Sequence, residues 1–273
     1  MKNTLIFLSM LFCFQAFSQR KPKIKGNKSV VDVTESLPPF NAIELNDDLD
    51  IFLQKSNHEG YALTADDNLI DVLKFKVNDG ALVISSFYSI VSKKKLDITI
   101  NYNKLSKITM HDGKIRMKDM ISTEELTVET YGSSKLELNA NADFMNITMN
   151  GNSSGDFNLE SDSLKITLKD RVDVRIYSVS QTNFLQMYGN AGAKMDGTTY
   201  ALSLKLFDNA NLKAKKLEAE GVEAILEGSV KAKVHARAGF ELTSRGSSKI
   251  YLSGDAKIDI IEFLDTSELH KEK

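Results

Sequence analysis

The sequence predicts an all-β fold: a β-solenoid of about 19 residues per coil, in the form of a parallel β-helix with an N-terminal capping region of strands and a hairpin. Three observations predict it. Apolar and polar residues alternate with period 2 from Leu96 onward, which argues strands. Segments that open a strand recur at a second, longer step. The octapeptide "YGSSKLEL" (Tyr131–Leu138) returns as "RGSSKIYL" (Arg245–Leu252) 114 residues later, which is six steps of 19.

The strand openings are "LTVET" at Leu126, "MNITM" at Met145, "LKITL" at Leu164, "LQMYG" at Leu185, "LSLKL" at Leu202, "VEAIL" at Val222, "FELTS" at Phe240 and "IDI" at Ile258. Seven steps cover 132 residues, with single steps from 17 to 21, and "ITM" at Ile108 lies one step earlier. Each unit continues with a turn, a small residue and a second short strand. The predicted small column is Ser134, Gly155, Val172, Ala193, Ala210, Val230 and Ser248. The turns carry Gly132, Asp170, Gly189, Asp208, Gly228 and Gly246, residue types that suit positive φ. A repeat of this length is a stack of supersecondary units, and without a helical period that stack is a β-solenoid. Residues 126, 128 and 130 are expected to lie inward over 145, 147 and 149, with Thr127, Glu129, Asn146 and Thr148 outward. An antiparallel sandwich would not need self-similarity at 19 residues.

From the N-terminus, "MKNTLIFLSMLFCFQAFSQR" has a basic start, an apolar run to Phe17 and a small-residue cleavage signal. Residues 1–18 are expected to be a secretory signal peptide, because the run is too short to span a bilayer. The single cysteine, Cys13, falls inside it, and Phe12 before it disfavours a lipoprotein signal. The mature chain would carry no thiol, so no disulfide and no cysteine chemistry. It would hold 34 basic and 37 acidic side chains, no footprint for nucleic acid. No later apolar run approaches the length of a transmembrane helix. Residues 19–36 read as a flexible lead-in or edge strand. Residues 37–107 read as N-terminal strands, with a hairpin around Asn78-Asp79-Gly80. Regular coils follow over 108–262, and residues 263–273 read as a polar tail.

The order "FNAIELNDDLDIFLQ", "DDNLIDVLKFKVNDGALVI", "LDITI" and the recurring "GSS-K-L/I" corners resembles the auto-transporter adhesin head GIN domain family of secreted Bacteroidota proteins. The resemblance spans about residues 37–262. Two corners depart from it, with Asp170-Arg171 and Asp208-Asn209 in place of Gly-Ser. It implies a right-handed β-helical domain, a periplasmic or surface location and an adhesion-type function. It implies no catalytic residues.

A β-helix can also host a polysaccharide lyase or hydrolase, with carboxylates concentrated on one outer face. The predicted columns are Lys135, Asp156, Asp173, Lys194, Asn211, Lys231, Lys249, and beside it Glu137, Asn158, Arg175, Asp196, Lys213, Lys233, Tyr251. Asp156 and Asp173 would be vertical neighbours and the best catalytic pair for such an enzyme. The competing reading is a surface charge ladder satisfied by Arg175 and Lys194. "NDDLD" (Asn46–Asp50) lacks the glycine and terminal glutamate of a calcium loop, and His58, His111, His235 and His270 share no ligand spacing. No cofactor or metal is expected. Tyr131 and Tyr188 are candidates for surface contact from one side. The reading is therefore an exported, non-enzymatic, adhesin-like binding or scaffolding surface for an envelope protein or glycan, with the carbohydrate-active enzyme as the alternative.

Overall fold

The computed structural model describes residues 21–272. The expected signal peptide and Cys13 lie outside the described residues. The chain forms β1 (Lys23–Lys25), β2 (Val30–Ser36), β3 (Ala42–Leu45), β4 (Asp50–Lys55), β5 (Gly60–Asp66), a 3-10 turn (Asp67–Leu69), β6 (Leu73–Asn78), β7 (Ala81–Ser86), β8 (Ser89–Ser92), β9 (Leu96–Tyr102), β10 (Lys107–Met110) and β11 (Lys114–Met117). Longer strands follow: β12 (Ile121–Thr130), β13 (Lys135–Met149), β14 (Ser154–Leu168), β15 (Asp173–Met187), β16 (Gly192–Asp208), β17 (Asn211–Gly228) and β18 (Lys231–Gly246). The last are β19 (Lys249–Ser253), β20 (Lys257–Phe263) and β21 (Glu268–Lys271). The described residues hold no α-helix, and none is long and apolar enough to cross a membrane.

The architecture is a β-solenoid of about nine turns. From β12 on, every strand pairs in parallel with the next coil, as in Leu126↔Met145, Val128↔Ile147 and Thr130↔Met149. All six of these side chains are buried, so the inward and outward assignment over 126–149 holds. A coil runs along one face, bends where pairing lapses near Ala142-Asp143, and returns along the second face.

The step is more regular than the sequence suggests. The first inward column runs Leu126, Met145, Leu164, Asn183, Leu202, Val222, Phe240. Asn183, not Leu185, holds the fourth position. It is buried, donating through Nδ2 to Ser178 Oγ at 3.2 Å and accepting from Ser180 Oγ at 2.8 Å. A polar residue in an apolar column hid the register by two residues.

The small column needs the same correction. Its members are Ser134, Ser153, Val172, Ala191, Ala210, Val230 and Ser248, all buried. Gly155 and Ala193 instead belong with Leu136, Val174, Leu212, Ala232 and Ile250. Gly155 is small there because the Phe157 ring fills the space a Cβ would need. Ser134, Ser153 and Ser248 each donate their hydroxyl to a carbonyl three residues back, which closes the corner.

The turn before each small residue is a column of left-handed backbone: Gly132, Gly151, Asp170, Gly189, Asp208, Gly228, Gly246 and Asp265 all have positive φ. Where the residue is aspartate, its carboxylate accepts the backbone N–H of the glycine one coil earlier. Asp170 bonds Gly151 at 3.0 Å, Asp208 bonds Gly189 at 2.8 Å and Asp265 bonds Gly246 at 2.8 Å. The two corners that depart from Gly-Ser thus hold the same geometry by other means. The strain of a left-handed aspartate is offset by a charge-assisted bond.

The N-terminal region winds differently. The strands β3 and β4 form one lap, flanked by β7 and β9 on one side and by β10 and β11 on the other, all parallel. The strand β5 runs antiparallel to both β9 and β2, closing that end. The hairpin is as expected: β6 and β7 pair antiparallel about Asp79 and Gly80, both with positive φ.

Residues 23–25 and 30–36 are strands. The strand β1 pairs with β8, and β2 pairs with β5 through seven residues, so this stretch is an edge and not a flexible lead-in. The fully buried Asp66 ties it down, accepting backbone N–H groups of Lys28, Lys94 and Lys95 at 3.1–3.2 Å. Desolvation pushes its pKa up, but the three donors outweigh this and hold the carboxyl below its ordinary value. Toward the C-terminus, "ELHK" is a strand paired with β19, and Leu269 packs on the core, so the expected polar tail is part of the last lap.

Candidate functional site

The expected carboxylate pair is not assembled as predicted. Asp173 stacks on Ser154, and Asp156 stacks between Glu137 and Arg175. The two-residue error at Gly155 moved Asp156 into the wrong column. Asp156 and Asp173 are diagonal neighbours lining a shallow depression of about 260 Å³ with Lys114, Lys135 and Arg175. Nearby Glu137 is already bound to Lys114 at 2.5 Å. The acids here sit among cations, the arrangement of a charge ladder.

The corrected columns on this face run as follows. One is Lys135, Ser154, Asp173, Gly192, Asn211, Lys231, Lys249 and Glu268. The next is Glu137, Asp156, Arg175, Lys194, Lys213, Lys233, Tyr251 and His270. The second begins acidic, then presents four cations in successive coils. Its end is aromatic, with the Tyr251 and His270 rings stacked at 4.7 Å.

On the opposite face the outward position carries Glu223, Glu241 and Asp259 in three successive coils, the last held by Lys257 at 3.0 Å. Tyr131 and Tyr188 share one column, three coils apart. Each ring is stacked on a neighbour in that column, Tyr131 on His111 at 5.3 Å and Tyr188 on Phe207 at 5.0 Å. Exposure is greater elsewhere: Tyr200 is 68% and Phe144 61% accessible, and sequence reasoning singled out neither. The signal was present in "TTYALSL" and "ADFMNIT", where an aromatic follows the bend.

A groove at the bend holds about 450 Å³. It carries Asp143, Glu160, Asp162, Glu218 and Glu220, with Tyr200 and Arg237. Arg237 lies 3.8 Å from Glu218 and 3.6 Å from Glu220, so two of the five acids share one cation. Among the described residues no three acids or histidines converge as metal ligands. The NDDLD segment is a turn: Leu49 N–H donates to Asp47 C=O at 2.7 Å, and Asp47 accepts from Ser86 N–H at 2.8 Å and pairs with Lys21. The histidines are scattered, His111 near Glu44, His235 on Ser253 and His270 on Glu268.

Three crystal structures share this fold. A "putative adhesin" from Parabacteroides merdae ATCC 43184 superposes with a TM-score of 0.71 at 14% identity, covering 92% of this chain and 100% of that one. A "putative adhesin" from Parabacteroides distasonis ATCC 8503 gives 0.68 at 15% identity, covering 91% and 99%. A "putative lipid binding protein" from the same strain gives 0.66 at 18% identity, covering 92% and 100%. No curated protein matches the sequence. The family described as "Putative auto-transporter adhesin, head GIN domain" matches residues 39–158 and again 150–256, two passes that together take in the stacked laps. The chain belongs to the auto-transporter adhesin head GIN domain family.

Proposed function

We propose that this chain is an exported, non-enzymatic binding module that holds an envelope protein or glycan along the side of its solenoid, after loss of residues 1–18. The observation that carries the reading is the set of outward ladders. Side chains of one position repeat in straight rows over successive coils of a rigid parallel sheet, at about 4.8 Å per coil. Such rows suit an extended partner, and the depressions between them are open. The family membership and the adhesin names of the structural neighbours support it. The acids of the bend groove are divided among three coils, Asp143 in one, Glu160 and Asp162 in the next, and Glu218 and Glu220 three coils on, where they share Arg237.

The test is capture of envelope proteins and glycans by immobilised residues 19–273, alongside incubation with purified polysaccharides. Specific capture without new reducing or unsaturated ends is expected. New chain ends would overturn the non-enzymatic reading, and failure to capture any envelope component would overturn the binding module.

A further inference from the structure

We infer that the row Arg175, Lys194, Lys213 and Lys233 is a binding site for a linear polyuronate, an acidic polysaccharide bearing one carboxylate per sugar. This names the ligand class of the binding side proposed above and rests on that reading.

The row is continuous in the hydrogen-bonded register: Arg175↔Lys194, Lys194↔Lys213 and Lys213↔Lys233. Adjacent rungs are therefore about 4.8 Å apart, and like charges directly opposite on neighbouring strands repel. Shorter cationic runs, Lys114↔Lys135 and Lys231↔Lys249, each have one member held by an acid, Lys114 by Glu137 and Lys249 by Glu268, and other cations of the chain also meet acids. Lys107 meets Glu129 at 3.0 Å, Arg245 meets Glu262 at 2.6 Å, Lys249 meets Glu268 at 2.6 Å, and Arg116 pairs with Asp50. Within the row only Lys194 has a carboxylate partner among the described residues, Asp196 at 3.3 Å. Arg175, Lys194 and Lys213 are exposed, and Lys233 lies over the Tyr251 ring, 5.4 Å from its centroid. The row has ends. Glu137 and Asp156 precede it, and beyond it Glu272 is bound to Lys215 at 2.9 Å.

A ligand that relieves this repulsion must bring several negative charges in single file at the pitch of a sheet. An extended polyuronate does so: it carries one carboxylate per sugar, and those on the side that faces the sheet meet the cations of the row. Duplex nucleic acid needs a broad basic surface. Single-stranded nucleic acid needs aromatic platforms along the track, and here one ring, Tyr251, stands at the end. Four cations, preceded by two acids and followed by the Tyr251 ring, make a site about four sugars long.

Titration calorimetry of residues 19–273 with tetragalacturonate, neutral cellotetraose and a short oligothymidylate tests this at low salt. Tetragalacturonate is expected to bind, to weaken as salt rises, and to lose at least about tenfold in affinity in the Lys194→Gln/Lys213→Gln variant, as for loss of charge-assisted bonds. Lys135→Gln, on the same face outside the row, should leave affinity unchanged. The double variant should melt no lower than the parent, since it removes repulsion. No binding of tetragalacturonate, equal affinity in the double variant, or preference for the neutral or nucleic-acid probe would each overturn the proposal. If envelope capture succeeds and survives the double variant, the row is wrong and the binding module stands. If capture also fails, the module reading falls with it.

Discussion

The laps from Ile121 to Ser253 and the region from Lys21 to Lys118 use the same parallel pairing in opposite ways. In the first, each lap touches the one before and the one after in sequence, so one rule repeated builds the structure. In the second, the lap β3–β4 is sandwiched between two later segments, and antiparallel strands close the end. A solenoid tolerates local change where contacts are between neighbours, and resists it where the chain must return on itself.

Excision of a segment should have the largest and most unequal effect on the two regions. Removing residues 154–172 joins positions that are equivalent, since Ser154 pairs with Asp173. The shortened chain should still melt cooperatively, with Tm lowered by roughly 10 °C or less, as nearest-neighbour energetics allow. Removing the hairpin at 73–86 strips β3 of one partner and uncovers Ile43 and Leu45. That variant should show no cooperative transition by circular dichroism.

Next in size is a charge in the stack. Leu204 is fully buried and its neighbour Ser203 faces out. Leu204→Asp should cost about 4 kcal/mol or more, and Ser203→Asp roughly 0.5 kcal/mol or less, in denaturant titrations. Equal effects would dissolve the two-sided reading of the laps.

The corner column allows a smaller cut. Asp208→Ala keeps a left-handed residue but loses the bond to Gly189, at a cost of about 2 kcal/mol. Asp208→Gly loses the bond without the strain and should cost about half as much.

Acid separates the two regions, with no change expected of the parent chain at neutral pH. Asp66 has its folded pKa below the ordinary 3.8, so its contribution is present above that value and is lost as pH falls through the lowered folded value. As pH falls below 3.8, hydrogen exchange should open β2, β5 and β9 before β13–β18. The Asp66→Asn variant should show this opening already at pH 7.

Much of the fold was legible because stacking writes the same physics into every lap. The period, the inward alternation and the Asp-Gly hairpin were all visible in residue types. What misled was the assumption that a column is uniform. Asn183 stands among aliphatics with hydroxyl partners of its own, and Gly155 is small for the sake of Phe157. Gly155 shifted Asp156 by one column and made an acid pair out of an acid beside a cation. The cationic row was hidden by the separate shift that follows Asn183, since it emerges only when Lys194 is placed between Arg175 and Lys213. The return of β10 and β11 to the far side of β3–β4 had no local signal, because "KITM" and "KIRM" would pair equally well with other edges.

The position of the β3–β4 lap bears on how the chain assembles. A polypeptide emerging N-terminus first has every strand of the closed end available once Tyr102 is out. From there each new segment meets a finished template edge, and growth proceeds in the direction of synthesis. Assembly would then be a zipper started by a single slow event near the beginning, with partially emerged chains already holding native order behind the growing front.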